Sequence, residues 1–382
     1  MPFKNNVVRV CLLGLENIPV FLPGYGQYRV GGEQVQQSLL ARALSSRGYC
    51  VSMVSMDYGQ RDGVENDGVT VFKAYSPDAG LPGLRFIHPR WTRLWAALAR
   101  ADADVYYTSC AGAQVGILAL FCLVRHRRFV FRIAHDDDCD PTRLLIRFWR
   151  DKKLYEYGLR RSTSILAQSE RQIEALHRNY GLRATHAAML VERPRQLLDT
   201  EARDIDVLWV NNFRQFKRPD LALELAARLP HRHFHLVGGP IDIALYEAMR
   251  EKSKSLSNVT FHGAVPYLEV GSFYDRCKVF INTSDSEGFP NSYLQAWVRG
   301  TPVVAFFDPD HVIAREQLGH HATDLIDMEA MVERMLSQPK MLDEVGRRCI
   351  NYMKREYDED VILAPYRRAF DATQSFALGT AD

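Results

Sequence analysis

The stretch Ser284-Asp-Ser-Glu-Gly-Phe-Pro-Asn-Ser-Tyr-Leu-Gln-Ala-Trp-Val-Arg-Gly-Thr-Pro-Val-Val304 reads as a loop, then a helix, then a strand. Pro290 suits a helical first turn, Asn291 can accept a hydrogen bond as its cap, Gly300 can end the helix in the left-handed region, and Pro302 prevents continuation. Leu294, Trp297 and Val298 form the face predicted to be buried. A loop at the carboxyl end of a strand is where open α/β sheets bind their ligands. Glu287 stands in that loop, and a carboxylate there can accept hydrogen bonds from sugar hydroxyls. Gln295 lies one turn beyond Asn291 and is expected to face the same crevice, where an amide suits a ribose diol.

Outward from this stretch the chain repeats one pattern. Strand-like runs at Val207–Val210, Phe234–Val237, Val259–Phe261, Val279–Asn282 and Val303–Phe306 accompany helical runs at Leu221–Leu229 and Ser292–Arg299. An earlier series has strands at Val7–Leu13, Val51–Ser55, Val105–Thr108 and Phe129–Ile133, with a helix over Glu33–Ser46. Such alternation predicts α/β lobes, each a parallel sheet covered by helices on both faces. The stretch Leu190–Arg203, rich in Arg, Glu and Pro, lacks either period and reads as a linker. The expected lobes are therefore residues 1–190 and 204–355, with a helix over about 361–382 returning to the first.

Three further segments carry chemistry. In Val207-Leu-Trp-Val-Asn-Asn-Phe-Arg-Gln-Phe-Lys-Arg-Pro-Asp220 a buried strand leads into a basic turn, where Lys217, with Arg214 nearby, can neutralise a diphosphate. In Arg29-Val-Gly-Gly-Glu-Gln-Val35, Gly31 and Gly32 open a helix and let backbone amides approach a phosphate. In Phe129-Val-Phe-Arg-Ile-Ala-His-Asp-Asp-Asp-Cys-Asp-Pro141, His135 falls just past a buried strand, and the acidic run after it reads as helix capping and hydration.

Taken together, these motifs resemble those of glycosyltransferase family 4, retaining enzymes of the GT-B fold, in which two Rossmann-like doubly wound domains face a central cleft. Glu287 matches the first glutamate of the family's acidic motif, which contacts the donor sugar; Gln295 stands where the second, a ribose contact, is usual. Lys217 fits the family's phosphate-binding lysine, whereas Asn212 occupies the usual arginine position. The resemblance further implies a glycine loop (Gly31, Gly32) closing over the donor diphosphate and a histidine (His135) near donor sugar and acceptor. It implies backbone contacts from Gly288, Phe289, Pro290 and Asn291, and a nucleobase pocket at Gly239 and Val265. A nucleotide-diphosphate sugar is then a substrate rather than a cofactor, and Glu287, His135 and Lys217 are the catalytic candidates. Glu287→Ala is expected to abolish transfer while leaving folding intact.

Composition fits this reading: 47% hydrophobic and 25% charged residues over 382 positions suffice for two cores. No apolar run reaches the roughly 20 residues a membrane span needs, and the amino terminus lacks a signal-peptide pattern, so a cytoplasmic protein is expected. The seven cysteines are scattered and never form a CxxC pair, which predicts reduced thiols and neither a disulfide framework nor a zinc site. Asp136, Asp137, Asp138 and Asp140 include an aspartate pair at a metal-binding spacing used by the other large glycosyltransferase fold. That fold has one nucleotide-binding lobe, so no metal is expected here.

Residues 1–200 carry 27 Lys and Arg against 19 Asp and Glu, a net +8, which leaves −6 for the rest. The basic stretches Arg85–Arg100 and Arg143–Arg161 are interleaved with aromatics, so the first lobe can meet an anionic membrane surface peripherally or hold a lipid-linked acceptor; nucleic acid is not expected. Two rivals remain: a silent nucleotide-sugar binding protein, and a GT-B isomerase or hydrolase that needs no acceptor. A dinucleotide-dependent oxidoreductase is disfavoured because no GxGxxG follows a strand.

Overall fold

A computed structural model describes residues 7–25, 30–82 and 84–371. The first lobe is built on eight strands: β1 (Arg9–Leu13), β2 (Cys50–Ser55), β3 (Val64–Asn66), β4 (Val69–Lys73), β5 (Val105–Ser109), β6 (Arg128–Arg132), β7 (Ser164–Ala167) and β8 (Thr185–His186). They lie in the order β3-β4-β2-β1-β5-β6-β7-β8, all parallel except the β3–β4 pair. The second lobe has six parallel strands: β9 (Ile205–Val210), β10 (Phe234–Val237), β11 (Val259–Gly263), β12 (Cys277–Asn282), β13 (Val303–Ala305) and β14 (Gly319–His321). Their order is β11-β10-β9-β12-β13-β14. Both sheets are thus doubly wound, with the carboxyl ends of β6 and β12 feeding the loops that meet between the lobes.

The central strands are runs of apolar residues because they are covered on both faces: Val207, Leu208 and Trp209 are fully buried, as are Val279, Phe280 and Ile281. Several elements were not legible in the sequence. β7, β8 and β14 are two to four residues long and partly polar. The helix Ile243–Ser253 fully buries only Ser253 and meets the core through half-buried Tyr246 and Met249, and it and Tyr267–Arg276 separate strands that the sequence pattern left adjacent.

After the long helix Pro339–Glu356, which packs on Asn291–Trp297 in the second lobe, the chain crosses back. The helix Glu359–Asp371 lies on the first lobe: Tyr366 and Phe370 contact Tyr107 of β5, Tyr366 Oη donates to Ala188 O, and Arg47 pairs with Glu359 and Asp360. Residues 372–382, included in the expected returning helix, lie outside the described residues. All seven cysteines are free; five are buried, Cys110 is half-buried and Cys50 is exposed.

Candidate active site

Two loops of the second lobe lock together to form the floor of the site. Thr283 Oγ1, just past β12, bonds to the carbonyls of Lys217 (2.8 Å) and Arg218 (2.9 Å), and Trp209 Nε1 of β9 lies 3.0 Å from the same hydroxyl. Asp285 N donates to Phe216 O at 2.9 Å. This stitching brings Lys217 and Glu287, 70 positions apart in sequence, to 2.5 Å, with both side chains largely buried. Asn282 Nδ2 lies 3.3 Å from the same Glu287 oxygen, and its own Oδ1 is fixed by Ser284 N. Charges removed from water interact far more strongly than on the surface, so this pair is a polarised, pre-organised element rather than a surface salt bridge. Glu287 is only 7% exposed, which corrects the expectation that its loss spares the fold: removing it strands a largely buried ammonium.

The first lobe closes over this floor. Gly288 faces the carbonyl of Ala134 so closely that a Cβ on Gly288 would lie 2.6 Å from that oxygen. Phe289 N donates to Gln168 Oε1 (3.2 Å), and Gln168 Nε2 donates to Ile133 O (2.9 Å). Phe289 N–H is therefore spent on the first lobe, whereas Gly288 N–H has no hydrogen-bond partner among the described residues. Pro290, not Asn291, is the helix cap, and it offers no side-chain bond. Asn291 instead spans the lobes: its Nδ2 donates to Gly32 O (2.7 Å) and its Oδ1 accepts from Gln36 Nε2 (3.0 Å). Gly300 ends the turn after this helix with φ +70°.

Asn212 does a similar job. Its Nδ2 donates to Val30 O at 2.9 Å and its Oδ1 lies 3.3 Å from Gly239 N. Where an arginine would bring charge, this chain has a clamp on the loop that leads into Gly31 and Gly32. That loop opens the helix Gly32–Ser46, whose first turn has no side-chain cap, leaving its amide dipoles to an anion. Arg29 lies outside the described residues.

His135 sits at the rim, its ring 6.5 Å from that of Phe216. Its Nδ1 accepts from Asp137 N (3.1 Å), which puts the ring proton on Nε2; that nitrogen is buried and has no partner among the described residues. The acidic run after it caps a short helical turn as expected, Asp138 and His135 forming a capping box, but it is hydrated only in part. Asp137 and Asp138 are buried, and Asp138 accepts from the amides of Ala134 and His135 while burial raises its pKa. No metal-binding cluster occurs among the described residues.

Of the other candidates, Arg214 is exposed, its guanidinium 6.0 Å from the Phe216 ring centre. Gln295 is half-buried, and its Oε1 is held by Arg299 Nη1 (2.7 Å), itself paired with Asp275 (2.6 Å). The structure does not join Gln295 to the Glu287–Lys217 pair. Val265 is half-buried against the core. Gln168, Asn282 and Thr283 were missed: the polar run Asn282-Thr-Ser284 after an apolar strand was a usable signal, but Gln168 follows β7, which the sequence did not disclose.

Below the glycine loop, Glu33 accepts from Ser109 Oγ and lies 3.8 Å from buried Arg132. Burial pushes its pKa from an ordinary 4.5 up to about 7. The folded state thus holds the proton more tightly than the unfolded chain, and this group's stabilising contribution is lost as pH rises from 4.5 through 7. Glu33→Gln should remove that dependence, worth on the order of 3 kcal/mol. Urea unfolding of both proteins at pH 5 and pH 8 checks it, and equal pH slopes would refute it.

The two facing doubly wound lobes define the class GT-B, and comparison with known proteins agrees. Residues 31–191 match the family model of a glycosyl transferase 4-like domain, and residues 204–337 that of glycosyl transferases group 1. The chain belongs to the GT-B glycosyltransferases, with the domain pair of family 4. The O-antigen biosynthesis glycosyltransferase WbnH of Escherichia coli is 31% identical over 100 residues, 26% of this chain and 27% of that protein. The chain therefore matches about a quarter of the length of this curated relative.

Among solved structures, a sucrose-phosphate synthase from Thermosynechococcus elongatus superposes with a TM-score of 0.74 at 16% identity, covering 95% of this chain and 99% of that one. HepE of Anabaena, solved with UDP and glucose, gives 0.68 at 12% identity, covering 96% and 100%. At such identities the likeness is one of fold. Among the described residues no helix is long and apolar enough to cross a membrane.

Proposed function

We propose that the protein transfers a sugar from a nucleotide-diphosphate donor, held mainly by the second lobe, to a glycan acceptor presented by the first. It would do so with retention of anomeric configuration, in glycoconjugate synthesis of the kind named for its Escherichia coli relative. The observation that carries this reading is the buried Glu287–Lys217 pair, 2.5 Å apart, where the lobes meet. A sugar hydroxyl can take up the carboxylate while the ammonium turns to the diphosphate, whose charge grows as the glycosidic bond breaks. The uncapped first turn after Gly31 adds oriented amides, so the residues present can offset that charge without a metal ion. In this reading His135 Nε2–H, which has no partner among the described residues, would donate to the donor sugar, and contact between the lobes would exclude water that hydrolyses the donor.

The test is thermal unfolding with a panel of nucleotide sugars and nucleoside diphosphates, followed by product analysis with and without acceptor. A ligand at 100 times its Kd should stabilise by about 2.7 kcal/mol. One nucleotide sugar should raise Tm, and its sugar should appear on an acceptor with the anomeric configuration of the donor. Stabilisation without turnover would instead favour a silent binding protein, and acceptor-independent conversion a hydrolase or isomerase.

A further inference from the structure

Arg132, the last residue of β6, is fully buried, and its Nε and Nη2 have no hydrogen-bond partner among the described residues. It stands two residues before Ala134 and three before His135, at the sheet edge that leads into the cleft. Its ion pair with Glu33 is 3.8 Å long, beyond hydrogen-bonding range. A desolvated guanidinium charge is thus only loosely matched, which is costly unless another anion helps to balance it.

Glu33 is the second residue of the helix Gly32–Ser46, whose first turn has no side-chain cap. Its carboxyl turns in towards the sheet and accepts from Ser109 Oγ, and that hydroxyl accepts from Gln37 Nε2 at 2.8 Å. Helical side chains lean towards the amino end, so this carboxyl lies within about two turns, roughly 10 Å, of an anion seated on the first amides. Ionised, Glu33 competes with such an anion for the positive end of the helix and for Arg132. The second lobe does little to offset this, because Asn212 brings no charge and Lys217 is already engaged by Glu287.

Building on the proposed donor site, we infer that Glu33 takes up a proton from solvent when a sugar-nucleotide diphosphate binds at the Gly31–Gly32 loop, and that the diphosphate replaces it in balancing Arg132. Only the Glu33 O–H bond forms, and the diphosphate keeps both charges. The carboxyl is poised for this, since burial already holds it at about 7. At an effective dielectric of about 20, a dianion roughly 10 Å away raises its proton affinity by at least about ten-fold. The groups around it do not take over the role. Asp138, which burial also pushes up, is held by the amides of Ala134 and His135, while Asp136 and Asp137 pair with Arg171 and Arg143. Tyr107 of β5, Cys110 after it and Tyr366 of the returning helix are all raised by burial and stay neutral. Exposed Glu16 bonds to Gln34 Nε2 at 3.1 Å.

UDP-glucose, ADP-glucose and GDP-mannose are titrated calorimetrically into the full chain at pH 7 in PIPES and in imidazole, buffers of low and high ionisation enthalpy. The diphosphate diester of a nucleotide sugar does not titrate near neutrality, so the difference in heat counts protons taken up by the protein. About half a proton should be taken up per ligand, and affinity should fall roughly five- to ten-fold from pH 6 to pH 8. Glu33→Gln keeps an acceptor for Ser109 Oγ; it should remove most of the uptake and hold the affinity at pH 8 near the pH 6 value of the unsubstituted protein. Arg132→Met should weaken binding about ten-fold at pH 6, and the proton count in the unsubstituted protein does not depend on how either variant folds. Binding without proton uptake, or uptake unchanged in Glu33→Gln, overturns this inference and leaves the donor reading standing. Absence of binding by all three nucleotide sugars overturns both.

Discussion

Glu287→Gln should lower kcat/KM for transfer by about 10²–10³-fold, the usual cost of one pre-organised electrostatic contact in an active site. The amide preserves the shape of the side chain and keeps an oxygen for Lys217 Nζ and Asn282 Nδ2, both of which now bond to Glu287 Oε1. What it removes is the negative charge. Lys217, with 15% of its side chain exposed, then holds the nucleoside diphosphate more tightly, because no carboxylate competes for it. The loss should therefore fall on kcat, with affinity for the nucleoside diphosphate alone unchanged or improved.

Glu287→Ala should lose activity similarly but also destabilise the protein, since breaking a buried pair from one side costs about 3–5 kcal/mol. In the double variant Glu287→Gln/Lys217→Met the effects should fall well short of additive, as expected for groups in contact. Steady-state kinetics and calorimetric titration of the nucleotide measure all of this. Near wild-type kcat in Glu287→Gln would remove the pair from the mechanism.

Gly288→Ala is the second large effect, and its cause is purely geometric. Gly288 does not occupy the left-handed region, so a methyl group there is tolerated by the second lobe itself. The obstruction comes from the other lobe: the new carbon would lie 2.6 Å from Ala134 O, which is main chain and cannot swing aside, and 3.4 Å from Gln168 Oε1 and Gln172 Nε2. The lobes must part by several tenths of an ångström, which breaks the Phe289–Gln168 bond and moves His135 away from Glu287. Misplacement on the scale of 1 Å costs about 10²-fold in rate. Turnover should fall by up to that order while nucleotide affinity and Tm change little. Unchanged turnover would mean that the lobes need not meet here during transfer.

Sequence reading was most effective where local chemistry decides structure. The helix Asn291–Trp297 was foreseen because Pro290, Gly300 and the Leu294–Trp297–Val298 face act through short-range sterics and burial, which are written in neighbouring residues. It failed for Ile243–Ser253, β7 and β14, whose formation depends on the sheets they pack against or extend. Asn212 and Asn291 show the same limit within the site. Their amides were read as a missing charge and a helix cap, yet they hold carbonyls of the opposite lobe.

The sequence by itself determined two doubly wound lobes and the residue types that meet in their cleft, because periodicity and turn chemistry are local properties. Only the tertiary structure decided that Glu287 is buried against Lys217 and that Asn212 and Asn291 clamp the glycine loop. Each of these depends on which distant segments the packing of two sheets brings within hydrogen-bonding range, and spacing along one chain does not encode that distance.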